Sequence, residues 1–125
     1  MIATLFNGIS QVALSSADPP KLVAFYRDTL GVPVLFEAGG MTFFQTGATR
    51  FMIGAAQPGQ TIGGDAIIYF EPRDWPEANA ALEAAGVAFT GDGMVVQQAP
   101  GRELVLRAFS DPEGHTLALL GWRSA

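Results

Sequence analysis

The chain is built on one strand–helix unit stated twice. Residues 9–15, Ile-Ser-Gln-Val-Ala-Leu-Ser, alternate as a half-buried strand does, and Leu22, Phe25, Tyr26 and Leu30 then recur at helical spacing. Residues 66–71, Ala-Ile-Ile-Tyr-Phe-Glu, read as a second such strand, followed by a stripe of Ala78, Ala81, Leu82 and Ala85. Leu14 to Gly31 and Tyr69 to Gly86 each span 17 positions, at a common offset of 55. A repeat of this length is a supersecondary unit used twice, and it leaves few architectures open.

Both helices are marked at their ends. Asp18 is the expected N-cap of the first, with Pro19 at the first helical position, where its missing N–H costs nothing. Asp74 is the expected N-cap of the second, with Glu77 at capping-box spacing. Gly31 and Gly86 stand where a left-handed C-cap is needed. Strand patterns follow each helix, at about 33–37, 41–47 and 50–56, and again at about 88–97, 102–109 and 116–122. Gly39-Gly40, Gly47 and Pro100-Gly101 punctuate them. Asp111-Pro112-Glu113-Gly114 has the residue order of a type I turn.

Each unit is therefore βαβββ, the first at about 8–56 and the second at about 65–122, joined by a linker at 57–64 within one domain of 1–125. A four-stranded sheet with a single helix leaves its other face bare. Two units side by side cover those faces by cupping them around a shared cavity. The expected fold is α+β: two tandem βαβββ units forming paired half-barrel sheets around a cavity, with the helices outside.

Composition removes several chemistries. With no Cys there is no disulfide, thiolate nucleophile or thiolate metal site, and the single His, His115, excludes multi-histidine sites within one chain. The chain has 7 Lys+Arg against 12 Asp+Glu, a net charge of -5, which argues against nucleic acid as a partner. No apolar run approaches the ~20 residues that span a bilayer, so no membrane association is expected. The start, Met1-Ile-Ala-Thr-Leu-Phe-Asn-Gly, has neither a basic n-region nor a long apolar stretch. The cytoplasm is the expected compartment.

The paired units resemble the vicinal oxygen chelate superfamily, the glyoxalase/bleomycin resistance protein/dihydroxybiphenyl dioxygenase group. Ile9-Ser-Gln-Val-Ala-Leu, Phe25-Tyr-Arg-Asp-Thr-Leu-Gly-Val and Phe109-Ser-Asp-Pro-Glu-Gly-His-Thr-Leu-Ala-Leu-Leu carry the resemblance, which covers roughly residues 8–122. Enzymes of that group hold a divalent metal with one side chain from the first and one from the last strand of each unit. Carried over, those positions are Gln11, Met52, Ala66 and Ala118. Only Gln11 offers an oxygen donor. Met suits soft copper(I) rather than hard divalent ions, and Ala offers nothing. The resemblance thus implies the scaffold while the residues argue against its metal, and no cofactor is expected. It also implies a homodimer.

Candidate ligand-binding residues are Gln11, Phe44, Met52, Phe70, Arg107, Phe109 and Trp122. Gln11 shares a strand face with Ala13 and Ser15, opposite Val12 and Leu14, so its amide could meet a ligand. Arg107 lies in an otherwise apolar strand on the parity of Val105 and Phe109. Its planar fork suits an anionic group, or else a salt bridge to Glu103 or Glu71. The aromatics and Met52 would wall an apolar site, or simply pack the core. His115 reads as a hairpin residue near the surface. Glu37, Glu71 and Glu103 could act as a general base if buried. Trp75, at the start of the second helix, is an anchor or interface residue.

Two functions follow. The first is metal-free binding of a small hydrophobic or aromatic molecule in the inter-sheet cavity. The second is a glyoxalase-like lyase, isomerase or dioxygenase, working with a metal or through a pocket carboxylate.

Overall fold

The computed structural model describes residues 4–125, which fall into two compact units divided between Ile62 and Gly63. That boundary lies inside the segment 57–64.

The first unit runs β1 (Gln11–Ser16), α1 (Pro19–Ala24), a π-helical turn (Phe25–Thr29), β2 (Val34–Ala38), β3 (Met41–Thr46) and β4 (Thr49–Ala55). Its sheet has the order β1-β4-β3-β2, with β1 parallel to β4 and the other pairs antiparallel. The second unit runs β5 (Ile67–Phe70), α2 (Trp75–Ala84), β6 (Ala88–Ala99), β7 (Arg102–Ser110) and β8 (Thr116–Ser124). Its sheet, β5-β8-β7-β6, repeats the first with β5 parallel to β8. Both units are βαβββ, in an α+β fold. No helix among the described residues is long and apolar enough to cross a membrane.

The helices begin where the carboxylates put them. Asp74 accepts the Glu77 N–H at 2.9 Å, and Asp18 accepts the Lys21 N–H at 3.4 Å. Each satisfies one of the donors that a helix start leaves open. The reciprocal arm of the capping box is replaced, because the Glu77 carboxylate accepts from Arg73 at 3.2 Å. Both helices end at glycine, with φ 72° at Gly31 and 77° at Gly86, values that an L side chain resists.

The repeat is not strictly periodic. The N-caps Asp18 and Asp74 are 56 apart, whereas the C-terminal glycines Gly31 and Gly86 are 55 apart. The π-helical turn absorbs the difference. Leu30 N–H donates to Phe25 C=O at 3.0 Å, an i→i+5 bond that takes in one extra residue. Upstream of that turn the two units correspond at an offset of 56, one more than the helix ends indicate.

In each unit the helix covers one face of the sheet. Tyr26 packs on Phe44 and Phe51 of the first sheet, with ring centroids 6.4 and 4.9 Å apart. Leu22, Tyr26, Phe44 and Ile53 are fully buried there. In the second unit Trp75 and Leu82 of α2 are buried, and a Cβ added at Gly121 would meet Pro72 and Trp75. Cross-strand register then assigns Val105, Arg107, Phe109, Leu117, Leu119 and Phe70 to the helix-covered side.

Candidate functional site

The face of the first sheet turned away from α1 is built from rows of cross-strand partners. One row is Gln11, Arg50 and Gln45, and the next is Ala13, Met52, Phe43 and Phe36. A third holds Ser15 and Gly54, with Met41 and Ala38 paired alongside. A 340 Å³ pocket opens over the second and third rows, lined by Ala13, Ser15, Met41, Met52, Gly54 and the segment Gly39-Gly40, with Ala55, Gln57 and Gln60 at its rim. That volume falls in the range of small-molecule sites. Small residues make the hollow and two thioethers make its walls, which adapt to irregular apolar shapes.

The pocket's polar rim is ordered by local bonds. Ser15 Oγ donates to Gln60 Oε1 at 3.0 Å, and the Gln57 N–H donates to the same oxygen at 2.7 Å. The segment after β4 is thereby folded back over the end of the sheet. At the other end, Phe36 and Phe43 stack at 4.5 Å with ring planes 19° apart. The Arg50 guanidinium lies 5.6 and 5.7 Å from their centroids.

A larger hollow of 730 Å³ lies beside α1, lined among others by Pro19, Val23, Arg27, Glu37 and Thr42. Its charges are occupied. Arg27 Nε and Nη2 donate to the two Asp28 oxygens at 2.8 and 2.9 Å. That bidentate bond holds the Asp28 carboxyl below its ordinary pKa and raises that of Arg27. Thr42 Oγ1 donates to Glu37 Oε1 at 3.4 Å.

The seven residues expected to contact a ligand are divided by the structure. Gln11 and Met52 come together on the open face of the first sheet. Phe44 is fully buried under α1. Phe109 is 1% exposed and packs on Phe89 at 5.5 Å, and Phe70 shares its helix-covered side. Arg107 also faces α2. It donates to Glu83 at 2.6 Å, Asn79 at 2.8 Å and the Gly91 carbonyl at 2.9 Å, with its guanidinium 3.8 Å from the Phe89 centroid. These four side chains are taken up by helix packing, and none lies on the face turned away from its helix. The glutamate on Arg107 is Glu83, not Glu103 or Glu71; Glu103 instead accepts from Arg123 at 2.8 Å. Trp122 is on the face away from α2, under the Arg102 guanidinium at 4.0 Å.

His115 is a correction of another kind. Expected near the surface, it is 3% exposed, with Nδ1 2.7 Å from Asp111 Oδ2. Asp111 Oδ1 also accepts the Glu113 and His115 backbone N–H groups at 2.9 and 3.0 Å. The pair is the internal brace of the β7–β8 turn.

The four positions carried over for a divalent metal can be checked against register. Met52 faces Ala13 on β4, and Ala118 faces Tyr69 on β8, which the 56-residue offset makes equivalent. The counterpart of Gln11 is then Ile67, not Ala66, which precedes β5. Gln11, Met52, Ile67 and Ala118 supply one neutral oxygen and one thioether. Such a set does not fit a hard divalent ion. Among the described residues no group of three or more His, Cys, Asp or Glu side chains could hold a metal.

Sequence reasoning missed Met41, Phe36, Phe43 and Arg50 on the open face. The parity of Met41, Phe43 and Gln45 was readable, but which face it belonged to was not.

A family model described as "Glyoxalase/Bleomycin resistance protein/Dioxygenase superfamily" matches residues 8–119. No curated protein matches the chain. Among solved structures, an integron cassette protein from V. cholerae aligns with TM-score 0.79 and 18% identity, covering 96% of this chain and 98% of that one. The antibiotic binding protein TnmS3 from a Streptomyces species aligns with TM-score 0.75 and 20% identity, covering 95% and 98%. A lactoylglutathione lyase from Agrobacterium tumefaciens aligns with TM-score 0.68 and 21% identity, covering 94% and 96%.

Proposed function

The chain belongs to the glyoxalase/bleomycin resistance protein/dioxygenase superfamily, and from that premise we propose that it binds a small hydrophobic or aromatic molecule without a metal. The observation that carries this reading is the 340 Å³ pocket on the first sheet, walled by Met41 and by Met52, the latter at a position where a metal enzyme of this scaffold would need a hard donor. Apolar burial drives such binding, at roughly 25 cal/mol per Å² of ligand surface removed from water. The Ser15, Gln57 and Gln60 rim gives direction to polar substituents. A fold neighbour that binds an antibiotic supports the class of ligand without identifying it.

The four methionines make the test direct. In full-length protein carrying 13C-methyl methionine, an apolar aromatic probe such as naphthalene shifts the Met41 and Met52 signals and leaves Met94 in place. Equal movement of all signals, or none, refutes the pocket. Elemental analysis of protein purified without chelators supplies the second arm. A stoichiometric divalent metal that binding or turnover follows overturns the metal-free reading in favour of a glyoxalase-like enzyme.

We also assign the chain to homodimers, as the family resemblance implies. Val34, Leu35, Val95 and Val96 lie 39–47% exposed on the edge strands β2 and β6, which supports pairing. Sedimentation as a monomer at tens of micromolar refutes it.

A further inference from the structure

We infer that the ligand carries an anionic group, a carboxylate or its equivalent, on an aromatic or apolar body, and that Arg50 receives it; this rests on reading the open face of the first sheet as the binding site. The chain as a whole is acidic, at -5, but this face is not. Arg50 is the only charged residue in its rows, since Glu37 pairs with Thr42 on the opposite side. Among the described residues no carboxylate lies within ion-pair distance of Arg50 or of Arg102, which is seated on Trp122, whereas Arg27, Arg73, Arg107 and Arg123 each have one. The contacts of Arg50 are the Phe36 and Phe43 rings, near the outer limit of a cation–π interaction. They leave its N–H fork unspent.

Position adds to charge. Arg50 stands two residues from Met52 on one strand, so its Cα is roughly 7 Å from that of the pocket wall. Gln11, its partner across the β1–β4 pair, is exposed, and its amide makes no hydrogen bond among the described residues. A fork and an amide side by side can take both oxygens of a carboxylate, as bidentate recognition requires. Phe36, 42% exposed, offers the adjoining ring face.

The test uses the full chain with three probes that differ in charge: 2-naphthoate, 2-naphthamide and 2-naphthylmethylammonium. Calorimetry at pH 7 gives the affinities, and the methionine methyl signals give the location. Naphthoate is expected to bind about fivefold tighter than naphthamide, the worth of one exposed charge pair, with the ammonium weakest. Arg50→Gln brings naphthoate down to the naphthamide level, and Arg50→Lys restores only part of the preference. Equal affinity for naphthoate and naphthamide, with Met41 and Met52 both shifting, overturns the anionic class and leaves the apolar pocket standing. Tighter binding of the ammonium overturns it likewise. No shift at Met41 or Met52 with any probe overturns the pocket and this inference together. The comparison among probes on the wild-type chain decides the matter even where a variant folds poorly.

Discussion

Gly121→Ala tests how the second unit is packed. Gly121 is buried in β8 against the loop that leads into α2. A Cβ there would lie 2.7 Å from Pro72 Cγ, 2.9 Å from Pro72 Cδ and 3.5 Å from Trp75 Cε3. Carbon atoms in contact settle at about 3.5–4.0 Å, so the proline ring must retreat by most of an ångström. It cannot do so by changing rotamer. Proline has no free χ1, and Trp75 behind it is 7% exposed at the start of α2. The strain passes to the backbone, and overpacking of this kind costs about 1–3 kcal/mol. For a chain of this size that lowers Tm by roughly 4–12 °C. Chemical denaturation followed by far-UV circular dichroism measures the free energy directly. Pro72→Ala removes the two clashing atoms and alone costs about 0.5–1 kcal/mol through the unfolded chain. The double variant should recover most of the Gly121→Ala loss, giving a coupling energy of about 1 kcal/mol or more. Additive effects, or an unchanged Tm in Gly121→Ala, refute the packing argument.

Three further outcomes follow from named contacts. Gly54→Ala places a methyl 3.3 Å from Met41 Cγ and 3.4 Å from Met52 Sδ; both side chains can yield, so stability falls by less than about 1 kcal/mol while calorimetric affinity for an aromatic probe drops. Asp111→Ala strips the acceptor from the part-buried Glu113 N–H, from the buried His115 N–H and from the His115 ring, and urea titration should show a loss of about 2–4 kcal/mol. Arg27→Gln releases the Asp28 carboxyl, whose pKa should rise toward the ordinary value in an NMR titration; because the pair lowers that pKa, its contribution is present above the ordinary carboxylate range and is lost as pH falls through the lowered value.

The units, their strands and their helix ends were readable because local chemistry dictates them. Asp18 and Asp74 each cap an N–H only three residues on, and Asp-Pro-Glu-Gly carries the residue preferences of its turn within four positions. The strand faces were not readable where both sides of a strand are apolar. Leu117-Ala118-Leu119-Leu120 carries no alternation to say which side meets α2, and the structure puts Phe70, Arg107 and Phe109 on the helix-covered side. Arg107 shows why. Its partners Asn79 and Glu83 lie on α2, 28 and 24 positions away, and only the packing of that helix on β7 brings them within reach. The π-helical turn hid the one-residue shift that exchanges Ala66 for Ile67, since hydrophobic spacing at 22, 25, 26 and 30 looks alike with or without it.

The sign of charge on the open face depends on a single residue that no pattern announces. Val34 faces Phe44 on the helix side, and strict alternation would put Phe36 beside it and Glu37 on the open face, next in line with the Arg50 rows. The register instead shifts between Val34 and Phe36, so that Phe36 faces Phe43 and Glu37 faces Thr42. A one-residue bulge flips every side chain beyond it to the other surface. Here it delivers an aromatic ring to Arg50 and removes the carboxylate that would neutralise it. An acidic composition therefore says nothing about the charge a ligand meets. That charge is set by the bulge, and putting a carboxylate back on the open face beside Arg50, as Phe36→Glu does, should abolish any preference for 2-naphthoate over 2-naphthamide in calorimetry.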